Sequence, residues 1–108
     1  MKIYLAGKIA GDPDYRTKFA YAVRDIKRRR GKDEDDVVIN PATLPPGLSP
    51  ADYVGITVPM LLAADSAVFL PDWKDSPGAR IEHAICEYIG LPIGEIPDPL
   101  DHNWMDFI

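Results

Sequence analysis

The sequence predicts an α/β protein with a parallel sheet of about four strands in the order 2-1-3-4 and helices on both faces. Short apolar runs alternate with longer segments of helical periodicity, and the connections between them are short and rich in proline and glycine. Because 108 residues provide for one core, we expect a single domain over residues 1–108, with a proline-rich tail at 94–108.

The first strand and helix are marked by an apolar run and then by helical spacing. The run from Lys2 to Ala6 ends at Gly7 and predicts a buried strand. Asp12-Pro13 then predicts an N-cap followed by proline at the first helical position. The helix should continue to about Arg30, with one apolar face formed by Tyr15, Phe19, Ala22, Val23 and Ile26.

The second strand and helix follow the same pattern. Val37 to Ile39 predicts a strand that ends at Asn40-Pro41. Ser49 followed by Asp52 predicts the capped start of a helix, which should kink at Pro59 and end near residue 64.

The third strand and helix lie closest to the candidate site. Ser66 to Leu70 predicts a buried strand, and Ser76-Pro77 predicts a capped helix that ends at Ile89-Gly90. Residues 91–93 predict a short fourth strand. We expect Glu82 at the border of a sheet-packing helix face formed by Ile81, Ala84, Ile85 and Tyr88.

Composition narrows the class of protein. The net charge of −5 argues against a nucleic-acid polymer as partner, and no apolar run is long enough to span a membrane. A single cysteine, Cys86, fits a cytoplasmic location. We expect a homodimer or higher homo-oligomer, because the tail carries an apolar cluster that needs covering: Trp104, Met105, Phe107 and Ile108.

Ligands of parallel sheets bind at the carboxyl ends of the strands, so the loops at 7–13, 40–48 and 71–77 are the candidate walls of a site. In the first of them, Gly7 and Gly11 permit a ligand to approach the backbone, and Lys8 would offset an anion's charge. The alternative is a tight turn with two glycines. The spacing is not that of a dinucleotide or ATP loop.

The start of the third helix is the second candidate. Ser76, with Gly78, Ala79 and Arg80 behind it, predicts an anion site at a helix N-terminus. Glu82 is either a carboxylate aimed at the cleft, kept ionised by that helix terminus, or an ordinary solvated glutamate. For Tyr4 the pattern alone favours a core position with the hydroxyl reaching a polar edge.

No metal or cofactor site is expected. His83, His102 and Cys86 do not have the number or spacing of ligands that a zinc site needs.

Several segments together resemble the nucleoside 2-deoxyribosyltransferase superfamily, and in particular its small DUF4406-type proteins of phages and prophages. They are Ile3-Tyr4-Leu5-Ala6-Gly7, Asn40-Pro41-Ala42, Ala64-Asp65 and Gly78-Ala79-Arg80-Ile81-Glu82. The resemblance covers most of residues 1–93 and implies a flavodoxin-like three-layer sandwich in the cytoplasm of a bacterium or a phage-infected bacterium.

The resemblance also implies roles for individual residues. Glu82 would be the nucleophile that attacks the anomeric carbon, and Tyr4 would orient it. Ser76, six residues earlier, stands where the superfamily's monophosphate hydrolases place a serine against the 5′-phosphate. Thr57 stands where the enzymes carry an aspartate that assists the leaving base. Asn103 would complete a neighbouring subunit's site.

Three hypotheses follow. The first is an N-glycosidase or deoxyribosyltransferase-like enzyme that acts on a (deoxy)nucleoside 5′-monophosphate without a cofactor. The second is a non-catalytic protein that binds nucleotides or nucleosides in the same pocket, which the Thr57 substitution favours. The third is a structural or interaction protein that keeps only the fold.

Overall fold

The computed structural model describes residues 1–30 and 35–96. Four parallel strands form one sheet in the order β2-β1-β3-β4, which confirms the predicted order and the flavodoxin-like α/β fold. The strands are β1 (Lys2–Ala6), β2 (Val37–Ile39), β3 (Ser66–Phe69) and β4 (Ile93–Glu95). The helices are α1 (Tyr15–Arg29), α2 (Pro50–Leu62) and α3 (Pro77–Ile89).

β1 lies at the centre of the sheet, and its alternating side chains supply both halves of the core. Ile3 and Leu5 pack with Phe19, Ala22 and Ile26 of α1 on one face. Tyr4 and Ala6 face the other way, into a cluster that includes Leu61 of α2 and Cys86 of α3. Because successive strand residues point to opposite faces, α1 covers one face, and α2 and α3 cover the other.

The predicted caps of the later helices are confirmed. Ser49 and Asp52 form a reciprocal capping box at the start of α2. Ser76 Oγ accepts the Ala79 N–H at 3.3 Å at the start of α3. Gly90 ends α3 in the left-handed region, with φ of 75°, where a residue without a Cβ is favoured.

The predicted start of α1 is wrong. The helix begins at Tyr15 after Asp14, and Asp12 is not its cap. Asp12 instead accepts the Asp14 N–H at 2.9 Å and pairs with Lys18, so its carboxylate organises the loop before the helix. Smaller differences concern α2, which ends at Leu62 with Pro59 inside it, and the fourth strand, which occupies Ile93–Glu95.

The predicted sheet-packing face of α3 is also wrong. Ala79, Glu82 and Cys86 are the buried residues of the helix, whereas Ile81 is 46% exposed and Tyr88 is 92% exposed. The helix is therefore rotated so that the glutamate points toward the sheet and most of the apolar ridge points outward. Apolar spacing alone could not distinguish these two orientations.

Close contact between two strand ends fixes the start of the loop after β1. A Cβ built on Gly7 would lie 2.7 Å from Leu70 Cδ1 and 2.9 Å from Leu70 Cβ. Leu70 directly follows β3 and is fully buried, so it has no room to retreat. A glycine is required here by packing.

Substitution of Gly7→Ala should lower the free energy of unfolding by about 1–3 kcal/mol, the usual cost of overpacking a core. Gly55→Ala is the matched control, because Gly55 lies in α2 and a Cβ added to it would meet nothing within 4 Å. It should raise stability by about 0.5–1 kcal/mol through helix propensity. Urea denaturation of both variants measures the difference, and equal effects of the two substitutions would contradict the close approach.

Candidate functional site

A cleft of about 420 Å³ opens at the carboxyl ends of β1 and β3, where the strand order reverses. This volume lies within the range of small-molecule sites. The loops that follow β1 and β2 contribute Gly7, Ile9, Ala10, Pro41 and Leu48. The helices α2 and α3 and their caps, together with Tyr4, contribute Pro50, Tyr53, Val54, Thr57, Ser76, Pro77, Gly78, Ala79, Ile81 and Glu82.

The two loops that follow β1 and β3 are joined through one lysine, an arrangement we call the Lys18 clasp. Lys18 of α1 forms ion pairs with Asp12 and Asp72 and donates to the Lys8 carbonyl oxygen at 3.0 Å. Asp72 also accepts the Lys8 N–H at 3.0 Å. Three charged side chains thus hold the loops after β1 and β3 at a fixed separation.

Glu82 is the one carboxyl group on the described cleft wall, and it is buried, with 7% of its surface exposed. Burial raises its pKa to about 7, against a smaller opposing effect of the Tyr4 hydroxyl. Of the two alternatives that the sequence left open for Glu82, the cleft carboxylate was expected to be ionised because of the nearby helix N-terminus. Desolvation outweighs that dipole, so the carboxyl group is divided between its two protonation states near neutral pH.

Tyr4 extends from the buried centre of β1 toward the same carboxyl group. Burial, and after it the charge of Glu82, raises the pKa of Tyr4 far above its usual value, while the Thr57 hydroxyl opposes the shift. The groups are close enough to affect each other, yet Tyr4 Oη and Glu82 Oε2 have no partner with normal hydrogen-bond geometry among the described residues. Both buried atoms therefore retain unused hydrogen-bonding capacity.

The start of α3 forms the polar end of the cleft. Ser76 Oγ accepts a hydrogen bond from the Ala79 N–H at 3.3 Å, and the Ser76 carbonyl oxygen accepts one from the Arg80 N–H at 2.9 Å. Ala79 N–H, predicted to bind an anion, is thus already occupied. The Ser76 hydroxyl proton and the Gly78 N–H remain as donors at this end, with the partial positive charge of the helix terminus behind them.

The structure separates the predicted site residues into two groups. Tyr4, Gly7, Ser76, Gly78, Ala79 and Glu82 lie on the cleft wall. Lys8, Gly11 and Arg80 are not among the lining residues: the Lys8 backbone belongs to the clasp, and Arg80 is exposed on α3. Asn103 and the apolar tail lie outside the described residues.

Sequence reasoning missed most of the apolar wall and the clasp. Leu48, Val54 and Tyr53 line the cleft, and the Tyr53 hydroxyl donates to the Pro45 carbonyl oxygen at 2.8 Å, which fixes the loop before α2. The high proline content of that loop was visible, but nothing in the sequence paired it with Tyr53. Lys18 was likewise not singled out, because its partners Asp12 and Asp72 lie in two loops that only the fold brings together.

The part of the chain that the structure describes lacks three features: a metal-ligand group, a membrane-spanning helix and a cationic side chain on the cleft wall. There, no group of three histidine, cysteine, aspartate or glutamate side chains is arranged to hold a metal ion. In the same ranges no helix has the length and apolar character needed to cross a membrane. No lysine or arginine side chain lines the cleft among these residues.

The fold and the cleft define a class: a small parallel α/β protein with a buried carboxyl group at the switch point of its sheet. The chain belongs to the DUF4406 family, whose model, described as a domain of unknown function, matches residues 1–95. No curated protein and no solved structure matches the chain significantly.

The raised pKa of Glu82 predicts a specific pH dependence of stability. The pKa is 4.5 in an exposed chain and about 7 in the folded protein, so the folded state binds more protons between these values. The free energy of unfolding should therefore fall as pH rises through this window. The side chain of Glu82→Gln is neutral at every pH, so its free energy of unfolding should not fall in this window. The difference in free energy of unfolding between Glu82→Gln and the wild type should therefore grow by roughly 3 kcal/mol from about pH 4 to pH 8, in favour of the variant.

Urea denaturation across this pH range tests the prediction. Glu95→Gln is the control, because Glu95 lies exposed on β4 and its replacement should leave the pH profile parallel to that of the wild type. A constant stability difference between Glu82→Gln and the wild type at all pH values would show that the carboxyl group is not desolvated.

Proposed function

We propose that the protein cleaves or transfers the N-glycosidic bond of a (deoxy)nucleoside 5′-monophosphate, with Glu82 as nucleophile. The observation that carries the proposal is the presence of a buried carboxyl group and a helix N-terminus on the wall of one ligand-sized cleft. The resemblance to the nucleoside 2-deoxyribosyltransferase superfamily supports the same assignment, because Ser76 and Glu82 occupy matching positions of its motif.

The proposed reaction is a double displacement. An ionised Glu82 oxygen attacks the anomeric carbon as the C–N bond breaks, and the bonding electron pair leaves with the base, which takes a proton from water. Water, or a second base, then attacks the same carbon and releases the glutamate. Burial gives the carboxylate few solvent hydrogen bonds to lose before it attacks.

Tyr4 would be a positioning residue. Its high pKa keeps the hydroxyl protonated, so it can donate a hydrogen bond to an ionised Glu82 oxygen. A small side-chain movement on ligand binding would bring the two groups into normal geometry. This would favour the ionised carboxylate at the time of attack.

The two ends of the cleft match the two ends of a nucleotide. Ser76 and the Gly78 N–H would contact the phosphate, while Ile9, Val54 and Tyr53 provide an apolar slot for a planar base. The Tyr53–Pro45 hydrogen bond holds the ring in place, which lowers the entropy lost when a base packs on it.

A second candidate is nucleotide binding without turnover. Thr57 is buried on the cleft wall, at the position where the superfamily's enzymes carry an acidic residue for the leaving base. A threonine hydroxyl cannot supply that proton at neutral pH. Glu82 is also the one carboxyl group among the described lining residues, so no neighbour replaces the missing acid.

Glu82→Gln should abolish release of free base from nucleoside 5′-monophosphates, because an amide oxygen is a far weaker nucleophile than a carboxylate. The test is incubation with a panel of nucleotides, followed by chromatography of free bases. The wild-type rate should rise with pH through about 7 as Glu82 ionises. After an acid quench, intact mass should show a glycosyl adduct on the wild type that is missing from Glu82→Gln.

Glu87→Gln is the matched control, because Glu87 lies on the same helix with its side chain 66% exposed and should leave base release unchanged. Base release that persists in Glu82→Gln would remove the nucleophile assignment. Binding of a nucleotide by a wild type that releases no base from any member of the panel would favour the second candidate.

Ser76→Ala should weaken binding of a nucleoside 5′-monophosphate by roughly 1.5–3 kcal/mol, because it removes a hydrogen bond to a charged phosphate. Affinity measured by calorimetry should decline less for the matching nucleoside, which has no phosphate. Ser49→Ala is the control, since it also removes a helix N-cap but Ser49 does not line the cleft.

Equal losses of affinity in Ser76→Ala and Ser49→Ala would attribute the effect to helix stability. Ser76→Asp separates the two roles further, because aspartate retains the cap and repels a phosphate. Ser76→Asp should lower the affinity for the monophosphate, relative to the affinity for the matching nucleoside, more than Ser76→Ala does. Unchanged monophosphate affinity in both Ser76 variants would place the phosphate elsewhere.

A further inference from the structure

The loop that follows β1 is held at both of its ends by one side chain of α1, Lys18. The Lys18 ammonium pairs with the Asp12 carboxylate at one end of the loop and donates to the Lys8 carbonyl oxygen at 3.0 Å at the other. Its third contact is the ion pair with Asp72, in the loop after β3. A lysine ammonium has three hydrogen-bond donors, and these three oxygens use all of them. Lys18 therefore has no donor left for a ligand.

Two residues of the cleft wall, Ile9 and Ala10, lie between these two anchors. The Asp12 N–H donates to the Ile9 carbonyl oxygen at 3.2 Å, and Gly11 has a φ of 81°, so the chain turns sharply at the crest of the loop. The clasp therefore fixes the backbone of these two wall residues, although the Lys18 side chain is not among the lining residues.

The polar end of the cleft is held by other contacts. The Ser76 N–H donates to the Trp73 carbonyl oxygen at 3.1 Å, and Ser76 Oγ accepts the Ala79 N–H at the start of α3. Neither hydrogen bond involves the Lys18 ammonium or the loop after β1. Loss of the clasp should thus displace the wall that follows β1 and leave the start of α3 in place.

We propose that Lys18 is a positioning residue for the base of the bound nucleotide, an inference that rests on the proposed function. Ile9 belongs to the proposed base slot, and a wall that is rigid before binding loses less conformational entropy when a ring packs on it. The ion pairs are partly buried, because only 13% of the Lys18 side chain is exposed, with 23% for Asp12 and 25% for Asp72. Salt therefore screens them less than it screens surface pairs.

Removal of the ammonium should weaken binding of the base and spare binding of the sugar phosphate. Lys18→Met keeps the apolar stem but leaves the Asp12 and Asp72 carboxylates without the cation between them, so they repel and the loops separate. The affinity for a nucleoside 5′-monophosphate should fall about ten-fold, because the loop must then be ordered on binding. The affinity for ribose 5-phosphate and 2-deoxyribose 5-phosphate, which carry no base, should stay within about two-fold.

NMR titration in a Glu82→Gln background measures these affinities without consumption of the ligand. The ligands are the common ribo- and deoxyribonucleoside 5′-monophosphates and the two base-free sugar phosphates. Asp72→Asn removes one ion pair but keeps an acceptor for the Lys8 N–H, so it should cause a smaller loss with the same selectivity. Lys27→Met is the matched control: Lys27 is exposed on the same helix and takes no part in the clasp, so every affinity should be unchanged.

Hydrogen exchange of the ligand-free protein tests the anchors themselves. The Lys8 N–H, which donates to Asp72, should exchange about ten-fold faster in Lys18→Met. The Asp12 N–H, which donates to the Ile9 carbonyl oxygen, should respond in the same way, whereas the amides of α3 should not change.

Unchanged exchange at these two amides would overturn the inference. So would a nucleotide affinity that survives Lys18→Met, or an equal loss of affinity for nucleotides and sugar phosphates, which would attribute the effect to general instability. A parent protein that binds none of the nucleotides would instead contradict the proposed function, and this inference with it.

Discussion

The pairing of β1 with a parallel neighbour on each side is the constraint on which the rest of the molecule depends. β1 pairs with β2 along one edge and with β3 along the other, so the crossover from β1 to β2 and the crossover from β2 to β3 run in opposite directions across the sheet. The crossovers therefore cover opposite faces, and a gap opens between the loops at the reversal. Tyr4 lies in this strand, and Glu82 approaches it from α3.

The arrangement of elements was readable from the sequence because each boundary carries its own chemical signal. Ser49 and Ser76 are followed by proline at the first helical position, and both cap their helices as predicted. Such signals are local, since they involve hydrogen bonds within a few residues. The predicted cap at Asp12 was wrong because Lys18, in the first turn of α1, draws that carboxylate away from the backbone of the helix.

The site could be located from the sequence but its electrostatics could not. Knowing that parallel strands end at one edge was enough to indicate the loop that carries Ser76 and, behind it, Glu82, whereas Tyr4 was added by the family resemblance. The rotation of α3 about its axis depends on which of its side chains fit against the sheet and α2. That fit is set by packing between elements that are distant in the sequence. Whether Glu82 is ionised follows from that rotation, because burial and not helix position dominates its pKa.

The Lys18 clasp also orders the events of folding. Its contact with Asp12 spans 6 residues and can form with the first turn of α1, whereas its contact with Asp72 spans 54. The second contact must wait until β3 has joined β1, because only then do the two loops meet. The cleft walls are consequently fixed only after β3 has paired with β1. A chain that stops folding before that step has part of its core but no binding site.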